Sequence, residues 1–321
     1  MPFSWESEVY GTSAAGNDVC LVLYNDYGDL PVLARLRQDR TQCWMREDLN
    51  IECEPEGETP GPVNDYNGNV LIMHENEMDI YSISLKDGSV TNLIKGIERN
   101  GEMEGETPEP FSMKDIEGMI CTPDAGIVLL KYINSDQDYF HELQRFDLEG
   151  NPLPLWKTEK KEVVQKESIF SRILGFFSGT VPEPGIPCFE NIGDRPWKLR
   201  DSGSDLAAGP DGSLYIINSE KLAAFDSDGI KRYSVEIPCS RIWGRPVADR
   251  TGAAFVLAES EGERYRIMRI SPQGEVSEYA ASSVDGGQVE SSESITLTSD
   301  GNIHVFGYGG VWISIDSSGS L

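Results

Sequence analysis

One phrase recurs about six times along this chain: a small turn bearing Gly or Asp, a short β-rich run, a second run, and another Gly-bearing turn. The clearest copy runs from Leu206 to Ile237, LAAGPDGSLYIINSEKLAAFDSDGIKRYSVEI, with two strand-like stretches set a few polar residues apart and followed by Asp226-Ser227-Asp228-Gly229. Weaker copies begin at Gly68, Gly126, Gly252 and Gly301. A unit this short cannot bury its own apolar face, so copies must pack on one another, and antiparallel phrases of this kind close into a β-propeller. The expected fold is therefore all-β, a six-bladed β-propeller occupying residues 1–321 as a single domain. Five or seven blades also fit the irregular spacing.

Placed in that frame, blade one takes Val19 to Tyr24, Pro31 to Arg37 and Thr41 to Arg46 as its second to fourth strands. Blade two takes Asn69 to Met73, Asp79 to Leu85 and Ser89 to Ile94. Blade three takes Glu117 to Cys121, Ile127 to Ile133, Tyr139 to Phe146 and Pro152 to Trp156. Blades four to six span Asp205 to Ile237, Pro246 to Tyr279 and Ser294 to Ile315. Alternation in Ile80-Tyr81-Ser82-Ile83-Ser84-Leu85 is the period-two pattern of a half-buried strand. After Ile315 only DSSGSL remains, so closure is expected to borrow Pro2 to Tyr10 as an outer strand of blade six, which would remove an open edge.

Residues 157–200 are an insertion between blades three and four. Its apolar residues Val163, Ile169, Phe170, Ile173, Leu174 and Phe177 are spaced as on one amphipathic helix, which Gly175, Gly179 and VPEPGIP end. The helix is basic (Lys157, Lys160, Lys161, Lys166, Arg172) in an acidic chain. Its stripe can pack on the propeller, dock a partner through Phe170, Leu174 and Phe177, or touch a membrane surface.

Charge narrows the partner class. The 321 residues carry 27 Lys and Arg against 54 Asp and Glu, a net charge of −27, and residues 1–120 hold 24 acids and 8 bases. Such a surface repels nucleic acid and anionic membranes and favours a basic protein or cations. No apolar run approaches the roughly 18 residues of a membrane span, and MPFSWESEVY has neither a basic start nor an apolar signal core. A cytoplasmic, monomeric protein is expected. The six cysteines include no CxxC pair and read as thiols, several of them buried.

Propeller topology also places the acids. Loops between second and third strands share a face with the loops joining successive blades. The first set holds Asp26 and Asp29, Glu75, Glu77 and Asp79, Asp136 and Asp138, and Glu259 and Glu261. The second includes two near-duplicates, EPEGETPGP from Glu54 and EMEGETPEP from Glu102, which add Glu56, Glu58, Glu104 and Glu106. The opposite face receives compact turns such as Lys86-Asp87-Gly88. Like charge gathered on one face creates a field that steers a basic partner; acidity of the whole surface and repeat ancestry account for the same residues without a partner. Catalytic motifs are lacking. His74, His141 and His304 fall in strands of different blades, with no HExxH and no GxSxG. Asn134-Ser135-Asp136-Gln137-Asp138 lacks the Gly and terminal Glu of a calcium loop. Catalytic residues, metal ligands and cofactors are therefore all read as none.

GPDGSLYIINSEKLAAFDSDG, at Gly209 to Gly229, resembles the blades of the broad NHL, YVTN and quinoprotein-like propeller group. Neither the tryptophan-docking signature of quinoprotein blades nor the WD dipeptide occurs, so the resemblance implies no quinone cofactor. Glu117-Gly118, followed by Asp124 and Gly126, is similar to the opening of gluconolactonase-like propellers, and this likeness implies a metal held by inner-strand Glu, Asn and Asp. Two functions follow as expectations. The first is a non-enzymatic propeller whose acidic loop face binds a basic protein, as an immunity or inhibitor protein or as a scaffold subunit. The alternative is a small-molecule hydrolase or lactonase with a divalent ion in the central channel near Glu117.

Overall fold

The second strands of the repeat are apolar at nearly every position, as in Val70-Leu71-Ile72-Met73 and Ile127-Val128-Leu129-Leu130, which requires a sheet covered on both faces. The computed structural model describes residues 8–25, 28–46, 61–73, 79–94, 116–135, 138–154, 197–199, 204–218, 221–260, 264–280, 294–307 and 311–319. They form 24 strands in six antiparallel sheets. Blade one is β1 (Glu8–Ala15), β2 (Asp18–Asn25), β3 (Gly28–Leu36) and β4 (Gln42–Arg46). Blade two is β5 (Val63–Asn64), β6 (Asn69–Met73), β7 (Ile80–Ser84) and β8 (Val90–Ile94). Blade three is β9 (Ile116–Cys121), β10 (Ile127–Ser135), β11 (Asp138–Phe146), β12 (Pro152–Leu153) and β13 (Trp197–Leu199). Blade four is β14 (Ser204–Ala208), β15 (Leu214–Asn218), β16 (Lys221–Phe225) and β17 (Lys231–Glu236). Blade five is β18 (Arg241–Ala248), β19 (Ala254–Ser260), β20 (Arg264–Ile270) and β21 (Val276–Ala280). Blade six is β22 (Ser294–Leu297), β23 (Ile303–Gly307) and β24 (Val311–Ile315).

The first strands of the six blades touch in the cyclic order β1, β5, β9, β14, β18, β22 and back to β1. The core follows the same ring, because each boundary between blades holds its own apolar cluster. Val70, Ile72 and Ile83 meet Ala15, Cys20 and Leu33 between blades one and two. Ile127 and Leu129 turn toward blade two, while Val128 and Leu130 turn toward Leu206 and Ile216 of blade four. Full burial of a Leu or Ile side chain stabilises by roughly 1.5–3 kcal/mol, so every blade depends on both neighbours.

Closure differs from expectation. Glu8 to Tyr10 lie in β1, the inner strand of blade one, paired with β2, and blade six has three strands among the described residues. The seam between blades six and one is closed by side-chain packing and by hydrogen bonds. Val19, Ala34 and Leu36 pack on Phe306 and Trp312. Thr12 Oγ1 hydrogen-bonds Ser294 and Thr296 hydroxyls at 2.5 Å each, Ser299 N donates to the Gly16 carbonyl at 2.9 Å, and Arg40 Nη2 donates to the Trp312 carbonyl at 2.9 Å.

The insertion also returns to a different place. β12 pairs Leu153 with Arg145, and β13 pairs Trp197 with Leu143 on the same edge of β11. The chain thus leaves and rejoins the outer strand of blade three two residues apart in register, and Trp197–Leu199 belong to that blade. Residues 155–196, with the expected helix and Phe170, Leu174 and Phe177, lie outside the described residues.

Candidate functional site: the loop face and the central channel

Alternating strand direction gives the disc two unlike faces. One carries the turns between first and second strands and between third and fourth. At Asp226–Ile230, Asp226 N donates to the Ile230 carbonyl at 3.0 Å, Gly229 N to the Asp226 carbonyl at 3.0 Å, and Asp226 Oδ1 accepts from Asp228 N and Ile230 N at 3.0 and 2.8 Å. Asp249 and Asp147 repeat the arrangement. Acids here are used internally. Hydrogen bonds from Thr41, Ser89 and Asn151 hold the Asp39, Asp87 and Asp147 carboxyls below the usual range. Asp18, Asp124 and Asp211 pair with Arg35, Arg145 and Arg232 at 2.6, 2.7 and 3.1 Å.

The other face carries the strand ends joined by residues 26–27, 47–62, 74–79, 95–115, 136–137, 261–263 and 281–293. Asp79 precedes β7 on this face, and Asp29 and Asp138 stand near the starts of β3 and β11, described for their backbone. Glu259, near the end of β19, is engaged: its Oε2 accepts the Trp243 Nε1 hydrogen at 2.9 Å. The Arg241 guanidinium lies 3.9 Å from the Trp243 ring centroid, and Tyr265 meets that ring edge-on at 6.2 Å. Sequence reasoning missed this cluster, because no spacing rule links Arg241, Trp243, Glu259 and Tyr265 before β18, β19 and β20 are paired. Asp26, Glu56, Glu58, Glu75, Glu77, Glu104, Glu106, Asp136 and Glu261 lie outside the described residues.

The six inner strands surround a channel of about 960 Å³. Three of them are bulged, in alternate blades. Tyr10 is the extra residue of β1 between Val9 and Gly11, and Glu117 the extra residue of β9 between Ile116 and Gly118. In β18, Gly244, Arg245 and Pro246 together stand opposite Val256. A bulge breaks the regular ladder and increases the local twist of the strand. Gly11 lets β1 pass close to blade two, since a Cβ there would sit 2.5 Å from Pro62 Cδ.

His304 is buried, its Nδ1 lies 3.1 Å from Trp312 Nε1 and 2.8 Å from Ser314 Oγ, and its Nε2 lies 3.5 Å from Thr298 Oγ1. Indole nitrogen only donates, so Nδ1 accepts and the proton sits on Nε2. Burial pushes its pKa down, with Asp300 opposing. His141 is described for its backbone in β11, and His74 lies outside the described residues. Cys20, Cys43, Cys121 and Cys239 form no disulfide, and burial pushes Cys20 up to about 12. Among the described residues no three His, Cys, Asp or Glu side chains come together as a metal site. No helix among them is long and apolar enough to cross a membrane.

Ring, channel and paired faces define a six-bladed β-propeller. No protein-family model matches the sequence, and no curated protein matches it. Among solved structures, a gluconolactonase of Xanthomonas campestris is similar at 14% identity and TM-score 0.53, covering 97% of this chain and 87% of its own. Virginiamycin B lyase from Staphylococcus aureus matches at 11% identity and TM-score 0.46, over 98% and 85% of the two chains. TolB from Acinetobacter baumannii matches at 12% and 0.48, over 93% and 63%. These likenesses are of fold.

Proposed function

We infer that this propeller is a binding module whose acidic loop face receives a basic protein. One observation supports the reading: the described acids of the turn face are used internally, while the sequence gathers many further acids in the segments of the opposite face. On the turn face, carboxylates cap backbone N–H groups or pair with arginine. The segments that join strand ends on the opposite face are rich in acid, and residues 47–62 hold Glu47, Asp48, Glu52, Glu54, Glu56 and Glu58 with no Lys or Arg. Like charge gathered on one face accelerates encounter with a basic surface and makes the rate depend on salt. An inhibitor of a basic toxin or nuclease, or a scaffold subunit, fits this chemistry.

The test reverses Glu56, Glu58, Glu104 and Glu106 to Lys and compares partner capture and association rate in 50 and 300 mM salt with a turn-face control, Glu149→Lys with Glu275→Lys. The expected result is a rate lowered by about tenfold or more in low salt, with a flattened salt dependence, for the loop-face variant alone. Equal rates for wild type and both variants would overturn the reading.

A second reading, hydrolysis of a small molecule beside a channel metal, is favoured by the bulge that sets Glu117 apart from the β10 register. The described side chains do not assemble a donor set for the ion, so no step is derived through it. Stoichiometric metal retained through purification, and lost in Glu117→Gln, would support that reading.

A further inference from the structure

We propose that the central channel is a binding site for a small organic carboxylate, held by the guanidinium of Arg245. The first ground is the deformation of β18. Gly244 has φ +63° and Pro246 lacks an N–H, so neither suits a regular ladder, and three residues stand opposite one. This irregularity places Arg245 among the residues lining the channel.

The second ground is that the guanidinium is under-used. Nε lies 3.5 Å from Asp205 Oδ1, Nη1 donates to the Met119 carbonyl at 3.4 Å, and Nη2 has no partner among the described residues. Both contacts are long for an ion with five N–H donors. Gly61 borders the space beside Nη2, where a Cβ would sit in ordinary contact at 3.4 Å and a larger side chain would fill it. Other polar groups nearby are already engaged, because the Thr12, Ser294 and Thr296 hydroxyls bond one another.

The third ground is the wall. Val63, Ile120, Leu206, Ile295 and Trp243 line the same space, and its volume of about 960 Å³ suits a small molecule. Trp243 is fixed by Glu259 and Arg241, which makes it a rigid flank. A planar guanidinium fork matches a carboxylate in two parallel hydrogen bonds. Phosphate shares that chemistry, but apolar walls favour an oxyanion with a carbon skeleton.

Calorimetric titration of the full chain at low ionic strength, with benzoate, succinate, inorganic phosphate and neutral benzamide as probes, tests the assignment. Expected is saturable one-to-one binding of a carboxylate, weakened about tenfold or more in Arg245→Gln and partly restored in Arg245→Lys. Should Arg245→Gln fail to fold, Gly61→Val fills the space beside Nη2 and leaves β18 intact, with the same loss expected. Saturation by phosphate alone overturns the carboxylate assignment. Absence of saturation by any probe, or binding unchanged in a folded Arg245→Gln or Gly61→Val variant, overturns the site.

Discussion

Ala125 occupies the turn position held by Gly150 in the next turn of the same blade and by Gly229, Gly252 and Gly301 in other blades, and it holds φ +61°. A left-handed backbone costs a Cβ-bearing residue about 1 kcal/mol relative to glycine. Ala125→Gly is expected to stabilise by roughly 0.5–1 kcal/mol, read as a higher urea midpoint at unchanged m-value. Arg40 takes the same conformation at φ +67°, but its guanidinium holds the Trp312 carbonyl across the seam. Arg40→Gly therefore removes a seam contact along with the strain. His304 gives the residue scale a pH dependence. Its folded pKa is lowered, so unfolding takes up a proton, and stability is full above the unfolded value of about 6.5 and declines as pH falls below it. Urea unfolding between pH 5 and 8 is expected to show this slope in wild type and a shallower one in His304→Leu. Much at this scale was legible in sequence, because an Asp-x-x-Gly turn is local chemistry. The Trp312 hydrogen bond to His304 was not, since it depends on the register between β23 and β24.

At the scale of elements, apolar runs revealed the second strands and their burial on both faces, and blades four and six were placed almost to the residue, whereas blade five begins at Arg241 rather than Pro246. Inner strands were harder to read. β5 has only two residues, and the bulges of β1, β9 and β18 appear only once each strand is paired with the second strand of its blade. The split outer strand of blade three was also hidden, because Pro152–Leu153 and Trp197–Leu199 are far apart in sequence and neighbours only on β11. That proximity makes a prediction. Excising residues 156–195 and joining the ends with Gly-Ser is expected to leave the far-ultraviolet circular dichroism of the strands unchanged and to move the thermal midpoint by a few degrees at most, since closing a long loop costs only slightly more than closing a short one. A collapse of cooperative unfolding would show that the excursion stabilises the blade.

The whole molecule is a ring of six wedges, each boundary carrying its own apolar cluster. Charge is distributed at this scale too, and chain order with propeller topology leads to the expectation of an acidic loop face. The loop-face acids fall largely in segments outside the described residues, while the channel and its arginine emerged from strand geometry alone. Because blades six and one meet through packing and hydrogen bonds as the other blades do, the covalent break need not fall between them. The turn Asp316–Gly319, closed by Gly319 N donating to the Asp316 carbonyl at 2.9 Å, has the form that leads into outer strands in blades four and five. A circularly permuted chain, with residue 321 joined to residue 1 and opened between Pro238 and Cys239, is expected to fold to the same ring with a thermal midpoint close to wild type. Its new ends would lie beside blade four, and the old seam would become an ordinary passage from one blade to the next.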